Sequence, residues 1–144
     1  MFTSASTRAA SVYKRVAAET SVQGADPHQL VDLLFDALLQ SLASARGAIS
    51  RGDIPAKGLA ISKAVRIIEE GLKAGLNVRG GGDLALNLQA LYEYSIRRLT
   101  LANLRNDAAP LEEVTRLIEP VAQSWKLIRG PGPAYLQPVS GRGV

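Results

Sequence analysis

Read as a helix, residues 83–107 (DLALNLQALYEYSIRRLTLANLRND) are apolar on two opposite sides, and this restricts the folding of the chain more than any other feature. At about 100° per residue, Leu84, Leu88, Leu91, Tyr92, Ile96, Leu99 and Ala102 fall on one face. Leu86, Ala90, Tyr94, Leu101 and Leu104 fall on roughly the opposite face. Gln89, Glu93 and Thr100 separate the two on one side, and Asn87, Arg98 and Arg105 on the other. One stripe is enough to pack a helix into a bundle. A second must be covered by another helix, a partner or a mobile part of the same chain, because exposed apolar surface of that extent is a liability. The surplus points to binding rather than to catalysis.

Three further helical patterns surround this one. The first opens at Asp26-Pro27-His28-Gln29, with Asp26 as N-cap, proline at the first helical position and Gln29 at the capping-box position. Leu30, Val31, Leu34, Phe35, Leu38, Leu42, Ala45 and Ile49 then form one wide stripe. Gly52 stops this helix and Asp53 caps the next, which is expected to run from about Ile54 to Leu76 with Ile61, Val65, Ile68, Leu72 and Leu76 facing the core. Beside that stripe lies a lane of small residues, Ala60, Ala64, Gly71 and Ala74, which lets another helix approach closely. Arg79-Gly80-Gly81-Gly82 reads as a break, with Asp83 capping the third helix. Asn106–Pro110 ends that helix and Pro110 begins a fourth, carrying Val114, Leu117, Ile118, Val121, Trp125 and Ile128. Pro120 lies on its polar side and is expected to loosen the helix locally.

The predicted architecture is therefore all-α: an antiparallel up-and-down four-helix bundle over residues 26–129. Residues 1–25 would form a flexible N-terminal cap segment with a short extra helix around Arg8–Glu19, stable only when docked. Residues 130–144, rich in glycine and proline, read as a disordered tail.

Composition narrows the function. Of the 144 residues, 47% are hydrophobic, enough for one domain with a sizeable core. There is no cysteine, so disulfides and thiolate metal sites are excluded. No apolar run approaches the roughly 20 residues of a membrane span, and residues 1–15 lack the hydrophobic centre of a signal peptide. A cytoplasmic protein without membrane insertion is the expectation. The net charge of +4 does not indicate nucleic acid, because acids interleave with bases along the whole chain: residues 27–78 hold six basic and five acidic side chains. Lying on a membrane surface would want a cationic helix face. Lys57, Lys63, Arg66 and Lys73 approach one, but Glu69 and Glu70 dilute it.

Little in the chain suits chemistry. The single histidine, His28, sits in a helix first turn, where solvation or capping is the ordinary role. The apolar stripes carry no Glu/His set for zinc or a di-iron centre, and the serines have no accompanying base. The glycine triplet lacks the Walker lysine and the GxGxxG spacing. No enzyme, no metal and no cofactor is expected. Trp125 and Tyr92 read as core residues. Tyr94, on the second stripe, is the better contact candidate, and Tyr13 is either an exposed residue or an anchor that plugs an apolar groove.

The chain resembles the flagellin-specific export chaperone family, FliS. The resemblance rests on DPHQLVDLLFDALL (26–39), GDIPAKGLAISKAVRIIEEGLKAGL (52–76), GGDLALNLQALYEYSIRRLTLANLRND (81–107) and the stretch 112–126, with Tyr13 upstream. Gly24-Ala25-Asp26-Pro27 stands where the family usually reads Thr/Ser-Ala-Ser-Pro, and Pro120 is unusual for it. The resemblance implies a helical bundle that binds the disordered C-terminal segment of flagellin, blocks premature polymerisation and presents the subunit to the flagellar type III export apparatus. It also implies that the N-terminal segment docks over part of the same surface with its tyrosine, Tyr13, in a pocket; Val12, beside it in a short apolar patch, is taken as part of this cap. The expected flagellin groove comprises Leu86, Ala90, Tyr94, Leu101 and Leu104, with Ala60, Ala64, Ile67 and Gly71 as its adjoining wall. A homodimer that pairs its second stripes is the main rival, and it would need no client.

Overall fold

A computed structural model describes residues 26–128. The expected N-terminal cap with Val12 and Tyr13, residue 129 and the expected tail lie outside the described residues.

Short polar and glycine signals set the helix ends. Asp26 accepts a hydrogen bond from the backbone N–H of Gln29 (2.8 Å), and Gln29 Oε1 accepts one from the N–H of Asp26 (3.1 Å). This capping box opens α1, Pro27–Arg51. Gly52 ends it in the left-handed region (φ 71°, ψ 21°), where a residue without Cβ is favoured. The N–H groups of Gly52 and Asp53 close the helix on Ile49 O and Ala48 O. Asp53 then accepts from Ala56 N (3.2 Å) and opens α2, Ile54–Arg66. Two residues thus reverse the chain, leaving α1 and α2 antiparallel.

The second helix does not continue to Leu76 as a regular α-helix. From Ile67 to Lys73 it widens into a π-helical segment. Hydrogen bonds of i→i+5 type put more residues in each turn. Ile67, Ile68, Gly71 and Leu72 are all buried there, a broader inward face than the expected stripe. Helix α3 spans Val78–Arg105 and includes one non-helical residue, Gly82 (φ 61°, ψ −143°). The expected break at 79–82 is therefore confined to Gly82, and a first helical turn precedes it. Asn77 caps that turn by accepting from Gly80 N (3.0 Å). Asn106 ends α3 in the left-handed region (φ 52°), and Asp107 accepts from Ala109 N (3.0 Å) to open α4, Ala108–Leu127.

Helix α4 begins two residues before Pro110, whose missing N–H falls among donors that have no intrahelical partner anyway. The expected loosening at Pro120 does not break the helix, which stays continuous through it. Pro120 is exposed, so water can reach the carbonyl its ring leaves unpaired.

Consecutive helices pack side by side and α4 returns to α1, giving a square bundle with each helix next to two others. The core runs down its centre: Leu34, Phe35, Leu38 and Leu42 of α1, Ile61 and Ile68, Leu88, Tyr92 and Leu99 of α3, and Leu111, Val114, Ile118 and Trp125 of α4. Leu84 and Leu117, expected in core stripes, are 47% and 36% exposed at the edges.

Gly82 lies where an L side chain is strained whatever space surrounds it. Gly82→Ala should cost about 1–3 kcal/mol. Chemical denaturation should show a lower midpoint at unchanged slope; an unshifted midpoint would mean the break tolerates a Cβ.

Candidate functional site

The outer side of α3 carries apolar side chains that the other described helices leave uncovered. Leu86 is 49% exposed and Leu104 77%. Ala90 is exposed, and Tyr94 and Leu101 are half-buried. From Leu86 to Leu104 is eighteen residue steps along one helix, about 27 Å at 1.5 Å per residue. Tyr94 is not free to swing. Its hydroxyl donates to Glu113 Oε2 on α4, and the Arg97 guanidinium lies 5.8 Å from its ring centroid. Arg98 Nε donates to the other oxygen of Glu113 at 2.6 Å. The Glu113 carboxylate therefore ties two α3 side chains to α4 and fixes the middle of the stripe.

The expected adjoining wall is arranged differently. Ala64, Ile67 and Gly71 are buried in the bundle, at 0% and 3% exposure for the first two, and Ala60 is half-buried. The small residues let α2 and its π segment press against their neighbours inside the protein. The π segment also turns Ile67 inward together with Ile68. The surface on offer is thus the α3 stripe without that wall. Leu59, 75% exposed, stands out on α2 and was not picked out by the sequence.

A second opening lies at the other side of α3, a cleft of about 360 Å³ between α1, α3 and α4. Phe35, Leu84, Leu88, Tyr92, Pro120, Val121, Trp125 and Ile128 line it, with Ser124 the polar group at its edge. Its floor is held by a reciprocal clasp. Trp125 Nε1 donates to His28 O (2.9 Å), His28 Nε2 lies 2.8 Å from Trp125 O, and the two rings stack 4.5 Å apart at 17°. Since the partner of Nε2 is a carbonyl, Nε2 carries the proton. His28 is thus half-buried and tied to Trp125 through Nε2 and its ring face. Beside it, Lys126 bridges Asp32 (2.7 Å) and Asp36 (3.2 Å), and the Asp32 hydrogen bond holds its pKa above the ordinary lysine value.

The opposite end of the bundle has a buried lysine. Lys57, 4% exposed, donates to Asn103 O (2.8 Å) and to Asn106 Oδ1. The cation sits on the carbonyl end of α3, where the helix dipole favours it. Asn103 and Asn106 of the ANLRND segment therefore serve the end of α3. The signal that would have found Lys57 is its register, four residues before Ile61 on the core stripe.

Among the described residues, no cluster of three or more His, Asp or Glu side chains could hold a metal ion. No helix among them is long and apolar enough to cross a membrane.

Comparison with known proteins matches residues 9–131 to the family described as "Flagellar protein FliS". The flagellar secretion chaperone FliS of Salmonella typhimurium is 51% identical over 116 residues, covering 81% of this chain and 86% of that protein. The chaperone FliSB of Pseudomonas aeruginosa is 47% identical over 78% of this chain and 89% of its own length. That of Bacillus subtilis is 31% identical over 75% and 79%.

The Glu113 cluster has a pH signature. The Tyr94 hydrogen bond, then the Arg98 one, lowers the Glu113 pKa below its ordinary 4.5. In this range the unfolded chain binds more protons, so the stabilisation is full above 4.5 and is lost as pH falls through the depressed folded value. Glu113→Gln should flatten that part of the acid limb of the stability curve. Urea melts of both proteins between pH 3 and 7 measure it, and parallel curves would show that the cluster is too well solvated to matter.

Proposed function

The chain belongs to the FliS family, and we propose that it is a flagellin export chaperone working in the cytoplasm. In this reading it holds the C-terminal segment of flagellin before export, prevents premature polymerisation and brings the subunit to the flagellar type III export apparatus. The observation that carries the reading is the stripe from Leu86 to Leu104, left outside a bundle whose core is already filled. A stripe about 27 Å long suits one face of an amphipathic helix of about eighteen residues, the helix-in-groove mode. A client that folds on binding loses chain entropy, and a long continuous contact offsets that loss. We assign the groove to Leu86, Ala90, Tyr94, Leu101 and Leu104. Ala60 lies at its margin, whereas Ala64, Ile67 and Gly71 would join only if α2 moved.

Val12 and Tyr13 are proposed as an intramolecular cover for this groove when flagellin is absent. Deleting residues 1–18 should raise the fluorescence of a dye that binds exposed apolar surface, and an unchanged signal would sink the idea.

Calorimetric titration with the C-terminal segment of flagellin from the same organism tests the main reading. The expected result is saturable binding near one to one with a negative heat-capacity change. Leu86→Ser with Leu104→Ser should weaken it at least about tenfold while leaving the melting transition in place, since both residues are already exposed. No heat, together with a mass that grows with concentration, would favour a homodimer paired through the same stripe.

A further inference from the structure

The cleft at the α1/α4 end has no role in the reading above, yet the chain itself leads into it. Ile128, the last described residue, is one of its lining side chains. The sequence then continues Arg129-Gly130-Pro131-Gly132-Pro133-Ala134-Tyr135-Leu136. We propose that Tyr135 and Leu136 fold back and seat in this cleft, so that the C-terminal tail is its intramolecular cover.

Three observations support this occupant. The first is reach. Tyr135 is seven residues from Ile128, an extended span of roughly 23–25 Å, about twice a helix diameter, and the cleft begins at Ile128 itself. The second is the connecting sequence. Gly130 and Gly132 permit the positive φ of tight turns, and Pro131 and Pro133 preset the φ of turn positions. The segment can therefore reverse direction within a few residues. The third is chemical fit. The cleft is almost wholly apolar, with Phe35, Leu84, Val121 and the Trp125 ring as walls. At about 360 Å³ it has room for more than one apolar side chain. Tyr135-Leu136 is the one adjacent pair of an aromatic and a branched aliphatic side chain after Ile128. A tether this short holds the pair at an effective concentration of about a millimolar or more, so even weak seating keeps the cleft covered. The N-terminal tyrosine, Tyr13, is thirteen residues from Asp26 and has the uncovered α3 stripe as its own proposed seat.

Trp125 is the only tryptophan in the protein and lines the cleft, so its fluorescence reads occupancy without any client. Three chains are compared: the full chain, a chain ending at Arg129, and the full chain with Tyr135→Ser and Leu136→Ser. Circular dichroism confirms that each is folded. The expected result is a red-shifted Trp125 emission and stronger acrylamide quenching in both altered chains. A peptide of residues 129–144, added in trans to the truncated chain, should reverse both changes. The proposal is overturned if emission stays unchanged in both altered chains, or if truncation alone changes it. It is overturned equally if removing residues 1–18 produces the shift instead, or if the shift depends on protein concentration, which would place a second copy in the cleft. None of these outcomes depends on whether flagellin binds.

Discussion

Four helices in a square can each cover one stripe of their neighbours, and that limit governs the rest of the molecule. The turns at Gly52-Asp53 and Asn106-Asp107 are two residues long and hold α1 against α2 and α3 against α4 in antiparallel order. Phe35, Ile68, Tyr92, Ile118 and their neighbours then fill the centre. None of the other described helices covers the far side of α3. A chain with one apolar stripe per helix would end as an inert bundle. Among the described residues of this one Leu86 and Leu104 stay exposed, and exposed leucines bring a risk of aggregation unless they are covered.

Polar ties hold α3 in place beneath that stripe. Lys57 grips its C-terminal carbonyl end, Glu113 holds Tyr94 and Arg98 in its middle, and Lys73 meets Glu93 at 3.4 Å nearer its start. None of these is a large stabilising force by itself. The exposed ion pairs in particular are worth little once solvent screens them. Their effect is geometric. A helix that presents apolar groups to a folding client binds more tightly when its own position costs no further ordering.

Several helix ends were legible in the sequence because capping is local chemistry: Asp26 with Gln29, Gly52, Asp53 and Asn106 act within four residues of themselves, whereas α3 is capped by Asn77 and not by Asp83, and α4 starts at Ala108 and not at Pro110. The core stripes were legible because periodicity reports burial. Three features were not, for one shared reason. The π segment at 67–73, the Lys57–Asn106 contact and the Tyr94–Glu113 bond all depend on which helix lies opposite, and no spacing within one helix encodes that. The same reason explains the wall residues. Small side chains at 60, 64 and 71 say that something approaches closely, and only the packing shows that the approach at Ala64 and Gly71 is internal. The stripe Leu86–Leu104 could be read as surplus. Which partner covers it is written in the chemistry of the other molecule.

The two openings are also mechanically separate, and two adjacent leucines show why. Leu84 lines the Trp125 cleft, and Leu86 begins the outer stripe. Two residues apart on a helix is about 200° of rotation, so the two side chains leave α3 in nearly opposite directions. A segment seated in the cleft would meet α1, α4 and the inner side of α3, whereas one lying on the stripe would run along the outside of α3. Filling the cleft therefore takes nothing away from the stripe.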